Sequence, residues 1–417
     1  MIGVLGTGLL FAQQKEKKVK DAQEYELFVA VTKETDQNKK IALLNTWKEK
    51  YPDSDYKEER LAAILETYRQ LNNPQKMWET GKEILEGDPK NVNALYWLAL
   101  LTESLPVTPD TLATGQKAAE GLLASEKPEA VKPEDWEKMK KETTVIAQKT
   151  LGFIATQQKD FKKAEEHYKK VLELSPNFAQ VSYALGMAIY QQKDPDRQSE
   201  VLFHFARAAS LTGVGAFADA QKKPVDNFFV KAYNTFHGSS EGLEEVRKLA
   251  VASPFPPPGF KILSKAEVDH EKQQSLAAAN PALALWEQIR EAILAPDGQT
   301  YFNEKVKGAD LPGGVNNITK FKGKVVSQSP EKAPKEIVLA VGLKGEPDCK
   351  LIMPAPLPNP AEPGTEVEFS GIPSALSTDP YQLTFDIAER KDLVGWPAPP
   401  KRAPAPKPAA AKKPAKK

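Results

Sequence analysis

The side chains able to do chemistry in this 417-residue chain are few and scattered. Its four histidines are His167, His204, His237 and His270, and none has a second histidine three or four residues away. Zinc hydrolysis on a helix needs two imidazoles on one face, as in H-E-x-x-H, and that motif does not occur. The single cysteine, Cys349, excludes an internal disulfide and a multi-cysteine metal site. Free cysteine prefers burial, so Cys349 reads as a strand residue tucked into a core. His167, beside Tyr168, reads as solvated. His204, inside the apolar run 201–206, reads as a packed, hydrogen-bonded histidine. The adjacent acids Glu165-Glu166 and Glu244-Glu245 have lysines nearby and read as helix faces. No G-x-S-x-G elbow, P-loop or EF-hand loop is present. Gly3, Gly6 and Gly8 suggest a dinucleotide-binding turn, but Phe11 stands where a small residue is needed and a charged helix follows instead of a second strand. The sequence therefore predicts no catalytic residue, no metal ligand and no cofactor.

What the sequence does specify is packing. From about residue 21 to 211 it reads as paired helices: 21–33 with 37–50, 57–71 with 74–87, 91–103 with 110–125, 133–157 with 160–174, and 178–192 with 196–211. Prolines and Asx residues punctuate the pairs, as at Asn72-Asn73-Pro74 and Asp194-Pro195. The clearest pair runs from Val145 to Pro176. It carries Leu151-Gly152, Ala155, Ala164, Tyr168, Val171 and a terminating Pro176. Small residues let helix backbones approach, and larger ones fill the remaining space. Leu185-Gly186 repeats Leu151-Gly152 in the next frame. Earlier copies end at Pro52, after Leu44 and Trp47, and at Pro89, after Tyr68 and Ile84. Leu95, Leu98 and Ala99 then fall in the same slots.

This pattern resembles the tetratricopeptide repeat, whose L-G, A, aromatic and P positions recur every 34 residues. The resemblance implies a mainly α fold: an α-solenoid of helical hairpins with a concave surface that binds another protein or peptide. The groove positions implied by the 34-residue frame are Tyr96, Leu100, Phe153, Tyr183, Met187 and Tyr190. Aromatics and methionine are enriched at interface cores. The same six could instead pack between neighbouring hairpins. A hairpin array followed by FHGSSEGLEEVRKLA and PFPPPGF is also similar to exported bacterial tetratricopeptide-repeat proteins with a β-rich C-terminal module.

Proline use shifts along the chain: 10 of 34 lie in the first 250 residues. The shift divides the sequence into a signal-peptide remnant (1–14), helical repeats with capping helices (15–250), a proline-rich linker (251–281), a helix plus β-rich domain (282–395) and a disordered Pro/Ala/Lys tail (396–417). Capping helices are expected at 213–235 and 241–251, the first with Phe228, Phe229, Ala232 and Phe236 on one face. Beyond the helix 282–295, five strands are expected at 320–327, 336–341, 349–353, 366–370 and 381–389, forming a small β-barrel or sandwich.

Net charge is only +1, yet the last 17 residues carry Lys401, Arg402, Lys407, Lys412, Lys413, Lys416 and Lys417 and no acid. Such a tail suits an anionic partner, either an envelope polymer or nucleic acid, while the rest of the chain is mildly acidic. Residues 1–12 are apolar but too short to span a bilayer. They look like the end of a signal peptide cleaved near Ala12 or Gln13, without a following cysteine for lipid attachment. This predicts export to the periplasm or cell envelope, or a cytoplasmic protein if the run is not a signal. The expected function is a non-catalytic interaction scaffold of the bacterial envelope. The alternative is a polyanion binder acting through the tail.

Overall fold

The computed structural model describes residues 17–127 and 131–398. The chain separates into two compact units, residues 1–265 and 266–417. The signal-peptide reading of residues 1–14 and the basic tail from Lys401 onward lie outside the described residues.

Among its described residues the first unit is all helical: α1 (Ala22–Lys33), α2 (Gln37–Lys50), α3 (Lys57–Gln70), α4 (Pro74–Gly87), α5 (Val92–Leu101), α6 (Pro109–Ala124), α7 (Pro133–Gln157), α8 (Phe161–Leu174), α9 (Ala179–Gln191), α10 (Gln198–Ser210), α11 (Asp219–His237) and α12 (Leu243–Ala252). From α1 to α11 each helix packs on its neighbour in sequence, and α5 also meets α7, so the hairpins stack into a solenoid. Asp21, Asp36, Asn73, Asn91, Thr108 and Asp160 cap the helices they precede by accepting free N–H groups of the first turn. Three hairpin turns share one device. Asn72, Lys159 and Lys193 adopt positive φ, and the next residue, Asn73, Asp160 or Asp194, accepts backbone N–H bonds from the turn that follows.

The small positions do what the repeat pattern requires. A Cβ on Gly152 would stand 2.6 Å from the Tyr168 ring, and one on Gly186 would stand 2.8 Å from Phe205. Ala164, Val171, Leu185, Leu44 and Leu98 are fully buried.

The C-terminal end of the solenoid is covered by the chain itself. All nine residues Val201–Ala209 of α10 are buried. Helix α12 packs on α10, and the segment 253–262 runs along it, with Phe260 5.2 Å from Phe203 and Ile262 N–H donating to Ser199 Oγ. Arg207, buried and without a carboxylate partner among the described residues, donates to the carbonyls of Ala250, Val251, Ser253 and Pro176. The first capping helix begins at Asp219, later than the 213 expected, because Gly215 turns the chain to accept the Ala179 N–H.

Among its described residues the second unit contains α13 (Lys265–Ala279), α14 (Pro281–Leu294), the short α15 (Gly298–Tyr301) and seven strands: β1 (Phe321–Ser329), β2 (Glu336–Ala340), β3 (Cys349–Ile352), β4 (Glu366–Phe369), β5 (Ile372–Thr378), β6 (Tyr381–Asp386) and β7 (Leu393–Val394). Helix α13 occupies sequence read as proline-rich linker. The strands form one sheet, ordered β5-β6-β3-β2-β1-β4-β7. The expected β-rich module is present, but its edges β5 and β7 do not pair with each other, so the sheet is open and no barrel closes. Only β3–β6 is parallel.

One face of the sheet is covered by α14, whose Trp286 is the hub of the core. Its ring lies 5.2 Å from Phe321 and 6.0 Å from Phe385, and its Nε1 donates to Asp348 Oδ2 at 2.9 Å. Asp348, itself buried, also accepts from the N–H groups of Val341 and Gly342. Cys349 is fully buried, as expected, and burial pushes its thiol pKa well up.

Candidate partner-binding surface

The first helices of three hairpins, α5, α7 and α9, carry the six groove residues expected from the sequence. Each of these helices buries one face: Ala94, Leu95 and Leu98 on α5, Leu151, Ile154 and Ala155 on α7, Val181, Leu185 and Ile189 on α9. Tyr96, Leu100, Phe153, Tyr183 and Met187 lie beside those faces and are half-buried, while Tyr190 is 50% exposed. On α9, Tyr183, Met187 and Tyr190 follow i, i+4, i+7 spacing and so share one stripe.

The six do not stand equally free. Tyr96 packs edge-on against Trp97 at 5.3 Å, and burial, with the charge of Glu142, raises its hydroxyl pKa. Tyr183 touches the rings of Phe205 at 5.5 Å and Phe228 at 6.1 Å, and both Tyr183 and Met187 pack against the buried cluster of α8–α12. Tyr190 has the most accessible side chain of the set.

The sequence reading missed the continuation of this surface onto α11. Phe228, expected under the solenoid end, is 41% exposed and bridges Tyr183 and Phe205. Asn227, Val230, Lys231, Asn234 and Thr235 line an open depression of about 500 Å³ on the same helix. Asn234 Oδ1 there is shielded from solvent and lacks a hydrogen-bond partner. The signal was the i, i+3, i+7 spacing of Asn227, Val230 and Asn234. The 34-residue frame hid it, because the turn Pro195–Arg197 and the loop 211–218 break the period.

Ion pairs tie neighbouring hairpins together. Glu165 of α8 accepts from Arg197, Lys169 and Gln192 at 2.6–2.7 Å. Burial alone would raise its pKa, but these bonds hold it down to about 2. Lys149 of α7 meets Glu103 at 2.5 Å.

Two histidines differ from expectation. His167 is half-buried, its Nδ1 2.6 Å from Gln148 Oε1, because α8 turns it towards α7. His204 is packed as expected, but neither ring nitrogen has a hydrogen-bond partner. Aromatic rings of Phe203 and Phe255 occupy its surroundings, and burial drives its pKa down to about 3.

Among the described residues no group of three or more His, Cys, Asp or Glu could hold a metal ion, and no helix is long and apolar enough to cross a membrane.

Residues 145–178 match the tetratricopeptide repeat family profile. A search among characterised proteins returns no match. Similar solved structures include PilF of Pseudomonas aeruginosa, with 16% identity, coverage of 65% of this chain and 96% of that chain, and a TM-score of 0.31. A thermophilic tetratricopeptide-repeat protein of Thermus thermophilus gives 14% identity, 50% and 95% coverage and a TM-score of 0.27. PilW, described as a widely conserved type IV pilus biogenesis factor, gives 15% identity, 54% and 96% coverage and a TM-score of 0.27. With superpositions of that extent, the repeat assignment rests on residues 145–178 and on the stacked hairpins around them. The chain is an α-solenoid of stacked helical hairpins, one of which (residues 145–178) matches the tetratricopeptide repeat, followed by a module built on an open β-sheet.

Proposed function

We propose that this protein is a non-catalytic scaffold of the bacterial cell envelope that holds a partner polypeptide on the surface formed by Tyr96, Leu100, Phe153, Tyr183, Met187 and Tyr190, extended by Phe228. The observation that carries this reading is the exposure of Tyr190 in line with Met187 and Tyr183, on a helix whose opposite face is fully buried. A tyrosine held on a rigid helix gives a large contact area at little entropic cost. None of these seven residues is charged, so the partner they suit presents apolar or aromatic anchors.

Tyr190→Ala is the clean test. It should leave the melting temperature within error, since exposed substitutions change stability by about 0.5 kcal/mol or less. It should also weaken partner capture from envelope extracts by about tenfold, the effect of losing an anchor worth over 1 kcal/mol. Tyr183→Ala is less clean, because it also removes ring contacts to Phe205 and Phe228. Undiminished capture by the Tyr190 variant would remove this surface from consideration.

The composition of residues 401–417 favours a second reading, in which the tail binds a polyanion and the solenoid carries it. A chain ending at Pro400 should then lose retention of nucleic acid or wall polymer, and the intact chain should release them as salt rises. Salt-insensitive capture of one protein by both chains would exclude it.

A further inference from the structure

The second unit carries an interaction surface of another kind. Its sheet ends on one side in β7, two residues long, and on the other in β5, seven residues long. A short edge offers little to pair with, whereas a long one presents a row of N–H and C=O groups. The start of β5 is already covered: Gly308 donates to the Pro373 carbonyl, and Leu311 and Gly371 exchange backbone bonds. From 374 to 378, β6 supplies the only ladder among the described residues, on one side of the strand. Ala375, Ser377 and Thr378 are exposed. Edge strands are commonly guarded by lysine or another charge, by proline or by a bulge, and in β5 the proline (Pro373) and the bulge both lie before Ala375, next to its covered start. No residue of Ile372–Thr378 is charged.

We infer that the chain self-associates through β5, the same strand of a second copy adding antiparallel across a two-fold axis near Leu376 and Ser377. Charge selects this occupant. Lys307 precedes Gly308 where the covering segment leaves the strand, and Asp379 follows Thr378 at its other end. An antiparallel pair sets the beginning of one strand against the end of the other. Lys307 of each copy therefore meets Asp379 of the other, at both ends of the new ladder. Asp310 lies within the covering segment, next to Leu311 at its far end, and Glu304 sits in the π-helical turn 302–306. Within the ladder only neutral side chains face one another. The chain's own C-terminal segment is a poor occupant, because prolines at 399, 400, 404, 406, 408 and 414 remove the donors a ladder needs.

Sedimentation velocity of the full chain over a micromolar concentration series tests this. A concentration-dependent dimer is expected. Ser377→Lys, which brings like charges together near the axis, should weaken it by about tenfold or more. Lys307→Glu should weaken it too, and Lys307→Glu combined with Asp379→Lys should restore it. Melting curves for each variant separate lost pairing from lost folding. Lys307 lies outside the ladder, so its variant stays informative if Ser377→Lys fails to fold. A chain that is monomeric throughout overturns the proposal, as does a dimer that Ser377→Lys and Lys307→Glu leave intact. A dimer broken by Tyr190→Ala, in the other unit, also overturns it.

Discussion

In the solenoid, buried residues meet partners that are near in sequence: Leu65, Trp78, Leu98 and Ala118 join one cluster from consecutive helices. In the sheet module, Trp286 gathers Phe321, Phe369 and Phe385 from strands spread across the whole unit. The solenoid has several such clusters in a row, and the module has one. A defect in a repeat array is felt by its neighbours, because stability there is a sum of local terms. A defect at a single hub is felt by every strand.

Trp286→Ala should therefore have the largest effect, about 3–5 kcal/mol, the usual cost of truncating a buried tryptophan. It also leaves Asp348 with one donor fewer. Hydrogen exchange should rise throughout β1–β6 and stay unchanged in α1–α10. Equal loss of protection in the helices would break the contrast by showing one cooperative transition.

Gly152→Leu comes next. The ring of Tyr168 occupies the space a side chain would need, and overpacking of this kind costs about 1–3 kcal/mol. Exchange should rise in α7, α8 and their immediate neighbours and fall away towards α1. An effect that reaches α1–α3 undiminished would make the solenoid as concentrated as the module.

Acid sharpens the comparison with a smaller effect. His204 has an ordinary pKa of 6.5, lowered to about 3 by burial in the fold. Its neutral form favours folding, so its contribution is complete above pH 6.5 and is lost as pH falls towards 3. Within that window the slope is at most about 1.4 kcal/mol per pH unit. Glu165, held at about 2 against 4.5, adds a second loss below pH 4.5. Between pH 7 and 5 the solenoid's melting temperature should fall, and His204→Phe should flatten that fall. An unaltered pH profile in the variant would clear His204 of the role.

The helices of the solenoid were legible because their signals are local. Proline and Asx residues start them, glycine and alanine set their contacts, and the frame carries Leu151-Gly152 onto Leu185-Gly186. Strands β1, β2, β3, β4 and β6 showed in apolar alternation between turn residues. Strand β5 did not, because Pro373, two serines and a bulge interrupt its pattern. Helix α13 buries none of its residues and so has no apolar stripe to betray it. The stripe Tyr183, Met187, Tyr190 could be read from spacing, whereas the contact of Phe228 with Tyr183 depends on how α11 packs after the repeat period has broken. Nor could the sequence reveal that His204 lacks a hydrogen-bond partner, since its surroundings include the strap at Phe255, which lies far along the chain.

That strap also limits how the molecule could lengthen. Repeat arrays grow by copying a hairpin, and a copy needs an open face to stack on. Residues 253–262, fastened by Arg207, already lie along α10 with α12 beside them. A duplicated hairpin inserted between α1 and α9 would find a face of the right shape on either side. One inserted after α10 would have to displace the strap and leave the Arg207 guanidinium buried without its carbonyls. The solenoid is thus extensible from within and sealed at its C-terminal end.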